Sequence, residues 1–310
     1  MQMNNSPQAS RLAAAIQSLF DLPETLEYTG EFGPELILFF PFCSWLSKEG
    51  LLKTSKVKIY RGMRCFYDHL DCLELVEKDD GREYVAPDKR PTMLPIKNEH
   101  SYGSLSPFHY FLDLRTKFLA KPMLRDVAAG SDKPLLIVHN KYNSEWSGPP
   151  VNFIDLPTLD HIFSMLKHRF FIVYIRHRPS VAIADGFSKD HNTLKEGFDD
   201  LGVLMRHPEV VDFEELYAKH KVLGGQQDLN TFKNVLYSRC YRFISSQGGG
   251  AHHIAMYSNS VLAILHRRGR ETELAYTKGF YRFATNPPPK LAVCSDSEQL
   301  IRALSDLFKS

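Results

Sequence analysis

The residues with the clearest chemical potential come after the strand that we predict over residues 241–245. There Gln247-Gly248-Gly249-Gly250 leads into a helical stretch that contains His252. Glycines let backbone N–H groups approach a ligand closely, and the first turn of a helix favours an anion. The pattern predicts a diphosphate site, with His252 or His253 supplying a proton or a hydrogen bond. The alternative is a tight strand-to-helix turn with a packed histidine, and the loop is neither a Walker A sequence nor a GxGxxG fingerprint.

A second candidate loop follows the apolar run over residues 135–139. It offers Lys141 as a cation, Asn140, Asn143 and Glu145 as groups for hydroxyls, and Trp146 as a ring for stacking. This mixture suits a sugar nucleotide, because lysine binds phosphate and aromatic rings stack on flat groups. The alternative is a solvated loop that Trp146 anchors.

Two charged residues also end apolar runs in the C-terminal half. Arg176 follows the run over 170–175 and is able to neutralise a phosphate, although a surface charge cluster explains it equally well. Glu271 follows the arginines after the run over 260–266, and its carboxylate is able to hold ribose hydroxyls.

The N-terminal half contains two candidates for a general base. Glu35 follows Gly33-Pro34 and precedes a long apolar stretch, and Glu31 lies four residues earlier in the same glycine-rich turn. A positioned carboxylate is able to take the proton of a reacting hydroxyl group. The alternative for Glu35 is charge compensation at the start of a helix.

Alternating strands and helices must position these loops. Continuous apolar runs are typical of strands buried on both faces, and their alternation with helices predicts a doubly wound parallel sheet. In the C-terminal half the predicted strands are 135–139, 170–175, 210–213, 241–245 and 260–266, and the predicted helices are 159–167, 214–220, 229–239, 251–257 and 297–309. In the N-terminal half the predicted elements are helices over 9–20, 35–48 and 109–127 and strands over 57–60 and 73–76.

These elements predict two Rossmann-like α/β domains, residues 1–130 and 131–310. The last helix is free to pack back on the first domain. Ligands in such sheets bind outside the carboxyl ends of the strands, which is where the candidate loops occur.

The composition excludes several classes of protein. The 310 residues carry 38 Lys and Arg against 36 Asp and Glu, a net charge of +2 that argues against nucleic acid as a partner. Five cysteines without CxxC spacing fit reduced thiols, and the histidines show no metal-ligand spacing, so we expect no metal. The longest apolar run, 36–46, is too short to span a bilayer. We therefore expect a cytoplasmic protein without a transmembrane segment, with a peripheral membrane contact left open.

Three short motifs together resemble the heptosyltransferase-type branch of the GT-B glycosyltransferases. In that family a glycine turn precedes an acid, and a proline follows six residues later, as Glu35 and Pro41 are spaced here. The family acid is Asp directly after glycine, whereas this chain has Glu with Pro34 interposed. The segments 141–146 and 247–252 are similar to the donor-binding loops of the family. The chain has no DxD sequence, which disfavours the class of glycosyltransferase that binds its donor through a metal.

The resemblance implies two Rossmann-like domains whose parallel sheets face each other across a cleft. It also implies an inverting, metal-independent transfer of a hexosyl or pentosyl group from a UDP- or GDP-sugar to a hydroxyl of a glycan or glycoconjugate acceptor, as in polysaccharide biosynthesis. Glu35 is the implied base, with Glu31 as the second choice. The implied donor-binding residues are Lys141, Asn143, Trp146, Arg176, Gln247, Gly248, Gly249, Gly250, His252 and Glu271. Two alternatives stay open: a nucleotide-sugar epimerase or hydrolase of the same architecture, and a non-catalytic nucleotide- or sugar-binding module.

Overall fold

The computed structural model describes residues 22–94, 110–122, 132–146, 148–176, 194, 197–277 and 279–308. The helix expected over residues 9–20 and the domain boundary expected near residue 130 lie outside these ranges.

The first region contains a three-stranded parallel sheet in the order β1-β2-β3. Its strands are β1 (Thr25–Glu27), β2 (Lys56–Tyr60) and β3 (Glu74–Lys78). Helix α1 follows β1 and consists of Phe32–Pro34, a π-helical turn Glu35–Phe39 and Phe40–Lys48. The short helices α2 (Arg64–Tyr67) and α3 (Leu114–Leu119) complete the described part of this region.

The second region contains a six-stranded sheet in which every pairing is parallel. Its strands are β4 (Leu135–His139), β5 (Phe171–Ile175), β6 (Val211–Asp212), β7 (Arg242–Ser246), β8 (Val261–Leu265) and β9 (Lys290–Cys294). Its helices are α4 (Leu156–Leu166), α5 (Asp200–Arg206), α6 (Phe213–Val222), α7 (Leu229–Arg239), α8 (Gly249–Ile254) and α9 (Ser297–Leu307).

The strand order of the second sheet defines where a ligand is able to bind. The order β6-β5-β4-β7-β8-β9 corresponds to the doubly wound order 3-2-1-4-5-6 when the strands of this sheet are counted along the chain. The chain changes direction across the sheet between β4 and β7, so a crevice opens at their carboxyl ends. The loops after β4 and β7 are two of the loops that the sequence singled out.

The prediction of an α/β protein built on two parallel sheets is confirmed, while several details differ. Strand β9 was not predicted, because its edge position leaves most of Lys290–Cys294 only partly buried and its apolar pattern weak. Helix α8 begins at Gly249, earlier than expected. Of the long helix expected over 109–127, the described residues contain only Leu114–Leu119.

The two regions share one hydrophobic core. A single buried cluster joins Val57 and Ile59 of β2 to Ile137 of β4 and Val173 of β5. The last helix, α9, packs against β8, β9 and α4, and its Leu300 and Leu304 belong to a second cluster on the other face of the six-stranded sheet.

Arg115 and Asp113 at the start of α3 fasten the first region to the second. The Asp113 carboxylate caps α3 and also accepts hydrogen bonds from the backbone and hydroxyl of Ser258. The Arg115 guanidinium donates to the carbonyl oxygens of Ser238, Cys240 and Ser258 and to the hydroxyl of Ser260. This contact, which we call the Arg115 clamp, lies near the amino ends of β7 and β8, opposite the crevice.

Across the ranges that the structure describes, none of the helices has the length and apolar character needed to cross a membrane.

Candidate functional site

A lysine and a glutamine join the two loops at the crevice. Lys141 follows β4, Gln247 follows β7, and the Lys141 ammonium donates to Gln247 Oε1 at 2.9 Å. About one fifth of the Lys141 side chain is exposed (19%). The crevice of the second sheet therefore presents a partly accessible cation.

The bond between Lys141 and Gln247 is part of a longer polar chain. Gln247 Nε2 donates to Glu271 Oε1 at 2.8 Å, and Glu271 Oε2 lies 3.0 Å from His266 Nε2. At the other end, the Lys141 ammonium pairs with Glu145 Oε1 at 2.9 Å. The chain links the loops after β4, β7 and β8 and brings together three predicted donor residues, Lys141, Gln247 and Glu271.

Glu145 was expected to bind hydroxyl groups of a sugar nucleotide, and the structure pairs it with Lys141 instead. His266 was not predicted to belong to the candidate site, although it ends an apolar run as Arg176 does. Both oxygens of Glu271 are engaged, which favours a role in orienting Gln247 over a direct contact with ribose.

The glycine turn after Gln247 has steric reasons for its composition. Gly248 has a φ of 120°, and a Cβ atom there would lie 3.1 Å from Lys141 Nζ. A Cβ on Gly250 would lie 2.1 Å from His139 Nδ1, which is closer than atoms can approach. Glycine at these two positions brings the backbone against Lys141 and His139, so a ligand that contacts Lys141 also meets main-chain groups.

Gly249 contacts the first region directly. A Cβ built on it would lie 3.0 Å from Phe32 Cδ1 and 3.2 Å from the Gly33 nitrogen. His252 is buried, lies against Gly33 and shares a hydrogen bond of 3.0 Å between its Nδ1 and the Tyr281 hydroxyl. The two glycine-rich turns of the molecule therefore meet at the crevice.

The junction between these turns is electrostatically positive. Burial, with the charges of Lys233 and Lys141, lowers the pKa of His139 to about 3. Burial, with Lys233 and His139, also holds the pKa of His253 well below its usual value. Burial lowers the pKa of Lys233 itself to about 8, with the Cys65 thiol acting to raise it and Arg82 to lower it. Both histidines are thus neutral near pH 7, so the positive charge at the junction comes from the lysines.

Trp146 lies at the edge of the same loop with its backbone in the left-handed region, at a φ of 50°. It follows Glu145, which exchanges two backbone hydrogen bonds with Gly148 and so closes a tight turn. The indole is 47% exposed, and the Arg268 guanidinium carbon lies 5.9 Å from its centroid. Such an exposed ring on a strained residue is available to stack on a ligand. Asn143 is partly buried in the same loop.

Arg176 forms a buried ion pair with Asp200. Its Nε and one terminal nitrogen bind the two oxygens of Asp200 at 2.6 and 2.9 Å, and both side chains are buried. Tyr174 donates to the same carboxylate at 2.8 Å. This geometry favours a structural role for Arg176 over the phosphate contact that was expected.

Glu35 is enclosed in the first region. Its carboxylate is fully buried, Oε1 accepts from the Tyr67 hydroxyl at 3.0 Å, and Oε2 accepts from Arg82 at 2.5 Å. Arg82 is itself buried and stacks over the Tyr60 ring at 3.9 Å. A carboxylate held on both oxygens and shielded from solvent is poorly placed to take a proton from a substrate.

Glu31 occupies a different position at the start of the same helix. It is the cap residue before Phe32, has an extended backbone, and is partly exposed. Because Phe32 and Gly33 contact Gly249, Glu31 lies next in the chain to the junction of the two turns. The geometry therefore favours Glu31 over Glu35 as a reacting carboxylate.

Among the described residues, no three His, Cys, Asp or Glu side chains lie close enough together to hold one metal ion.

No family model matches the chain, and no curated protein matches its sequence. Among solved structures, the chain is similar to ADP-heptose LPS heptosyltransferase II of E. coli, at 9% identity and a TM-score of 0.49, over 93% of this chain and 99% of that one. It is also similar to a candidate UDP-N-acetylglucosamine 2-epimerase of Listeria monocytogenes, at 12% identity and a TM-score of 0.48, over 92% and 88% of the two chains. A glycosyltransferase of Rickettsia africae follows at 12% identity and a TM-score of 0.31, over 100% and 73%. At these identities and TM-scores, function has to be inferred from the chain's own residues.

Proposed function

We propose that this protein is a glycosyltransferase that moves a sugar from a UDP- or GDP-sugar to a hydroxyl group of a glycan acceptor, with inversion and without a metal. The hydrogen bond between Lys141 and Gln247 is the observation that carries the proposal. It joins the loops after β4 and β7, where doubly wound sheets bind nucleotides.

The donor diphosphate would bind beside Lys141 and the glycine turn. The Lys141 ammonium would neutralise one phosphate group, and backbone N–H groups of the turn would meet the other. The same groups would stabilise the charge that develops on the departing nucleoside diphosphate, since they are aligned before the reaction begins. Trp146 would stack on the nucleobase or the sugar.

Glu31 would act as the general base in this scheme. It would take the proton from the acceptor hydroxyl as that oxygen attacks the anomeric carbon from the face opposite the leaving group. Glu35 would instead anchor Arg82 beneath the glycine turn of the first region.

The first test is nucleotide binding by the wild-type protein. UDP and GDP should raise the melting temperature, because a ligand at 100 times its Kd stabilises the folded state by about 2.7 kcal/mol. The Kd measured by calorimetry should agree with the Kd calculated from the shift in melting temperature. If neither nucleotide binds, the donor site is wrongly proposed.

The second test compares two carboxylates in a transfer assay with a sugar acceptor. Glu31→Gln should lower turnover by about 100-fold, the lower end for loss of a general base, and leave nucleotide affinity unchanged. Glu35→Gln should lower stability while folded molecules keep most of their turnover. The reverse result would restore Glu35 as the base. Nucleotide release that does not depend on the acceptor would instead point to an epimerase or hydrolase.

One observation favours a second candidate function. Glu35, the residue in the family-like position, is fully buried and paired. A nucleotide- or sugar-binding module without catalysis would need no accessible base. Such a module would bind UDP or GDP and show no turnover with any sugar acceptor.

A further inference from the structure

Lys141 already has an anionic partner in the structure. Its ammonium lies 2.9 Å from Glu145 Oε1, and the Glu145 side chain is only 8% exposed. A carboxylate and a phosphate group compete for a single ammonium ion, because each would neutralise the same charge. This inference rests on the proposed nucleotide site, and it concerns how that site fills and empties.

Glu145 is held in place without help from Lys141. The Asn152 backbone N–H donates to Glu145 Oε1 at 3.1 Å, and Asn152 Nδ2 donates to Oε2 at 2.6 Å. Asn152 is itself fully buried, and its Oδ1 accepts from the backbone N–H groups of Arg267 and Arg268 at 2.8 and 3.0 Å. The carboxylate therefore keeps its position when the lysine moves.

Lys141 has the more flexible side chain of the pair. Its ammonium ends a four-carbon stem, and it also donates to Gln247 Oε1 on the glycine-turn side. Gln247 is oriented by Glu271, which accepts from its Nε2. The ammonium thus lies between a fixed carboxylate on one side and the proposed diphosphate site on the other.

We propose that Glu145 is an internal counter-anion that the donor diphosphate displaces from Lys141, and that it recaptures Lys141 as the nucleoside diphosphate leaves. Glu145 weakens nucleotide binding in this scheme and thereby speeds product release. A residue that merely positioned Lys141 would have the opposite effect on affinity.

The test is calorimetry and stopped-flow dissociation with UDP, GDP and inorganic pyrophosphate as probes. Glu145→Gln should bind them about fivefold more tightly and release them more slowly, because the competing charge is gone. Glu209→Gln is the matched control, since it removes the same charge from another lysine–glutamate pair, with Lys167 at 3.2 Å. That control should bind as the wild type does.

Unchanged or weaker binding by a folded Glu145→Gln variant would overturn the proposal. If the variant does not fold, a crystal structure of the wild type with UDP decides. We expect the Lys141 ammonium on a phosphate oxygen, beyond about 4 Å from Glu145, with the Asn152 contacts unchanged. An intact Lys141–Glu145 pair beside bound UDP would overturn the proposal.

The outcomes for this inference and for the proposed function are distinguishable. Tighter binding by Glu145→Gln without any sugar transfer would support the counter-anion and contradict the transferase. If wild type and variant bind none of the three probes, both proposals are wrong.

Discussion

Two acid–base pairs occupy comparable places in the two regions of the molecule. Glu35 pairs with Arg82 after the first strand of the small sheet, and Glu145 pairs with Lys141 after the first strand of the large sheet. The first pair is 0% and 1% exposed, whereas 19% of the Lys141 side chain reaches solvent. Similar ion pairs are therefore enclosed in one region and partly open to solvent in the other, where we propose that the contact is exchangeable.

The identity of the cation explains part of the difference. The flat guanidinium of Arg82 stacks on Tyr60 while it binds Glu35, so it is held by its face as well as by its edge. The ammonium of Lys141 is a point charge on a flexible stem and has no ring beneath it among the described contacts. Under the proposed function a ligand would draw Lys141 away from Glu145, whereas Arg82 is held by both Glu35 and Tyr60.

The largest expected effect comes from breaking the buried pair. Arg82→Met should lower the free energy of unfolding by about 3–5 kcal/mol, because it leaves the Glu35 charge buried without its cation. Urea unfolding measures this directly. Arg61→Met, which breaks the exposed Arg61–Asp79 pair, is the matched control and should cost less than about 1 kcal/mol. Adding Glu35→Gln to Arg82→Met should recover part of the loss, and a strictly additive loss would show that the two side chains are not coupled.

Breaking the exchangeable pair should affect binding more than stability. Lys141→Met should weaken UDP or GDP binding by about 10- to 100-fold, the range for losing a charge-assisted hydrogen bond. The same variant should lower the free energy of unfolding by less than Arg82→Met does, because Asn152 still donates two hydrogen bonds to the Glu145 carboxylate. Lys167→Met is the matched control, because the Lys167 side chain is 18% exposed and also pairs with a glutamate. Equal affinities for the two variants would contradict the proposed role of Lys141.

The smallest expected effect concerns the junction between the two regions. His139 has a pKa of about 3 when folded, below its unfolded value, so its contribution to stability is present above about pH 6.5 and is lost as pH falls. The unfolding free energy should therefore decrease on acidification, by up to about 1.4 kcal/mol per pH unit for this residue. His139→Gln should reduce that slope, as measured by urea unfolding between pH 7 and 5. The exposed His161→Gln on α4 is the control, and an equal slope in all three proteins would show that His139 does not titrate in this way.

The sequence allowed the crevice residues of the second region to be identified because their signals are local. An apolar run defines β4, a glycine-rich turn marks the end of β7, and the residues that follow both strands fall at the same edge of a parallel sheet. Lys141 and Gln247 could therefore be predicted to lie close together, although their bond to each other could not. The order of strands and helices along the chain does not indicate which side-chain atoms will be in contact.

The roles of Glu35 and Arg176 depend on residues that are distant in the sequence, so they could not be predicted from the neighbouring residues. Arg82 reaches Glu35 from 47 positions away, and Asp200 reaches Arg176 from 24 positions away. Neither partner has a spacing that marks it in the sequence. The π-helical turn Glu35–Phe39, which carries Glu35, also has no recognisable sequence signal. Burial of a charged residue is decided by which part of the chain covers it.

The Arg115 clamp makes the folding of each region depend on the other. The Arg115 guanidinium of the first region donates hydrogen bonds to the carbonyl oxygens of Ser238, Cys240 and Ser258 in the second. The main hydrophobic cluster also includes residues of both sheets. A fragment cut between the regions would expose that cluster and leave those carbonyls without the guanidinium. The two halves should therefore unfold in one cooperative transition, and neither should be obtained as an independent folding unit.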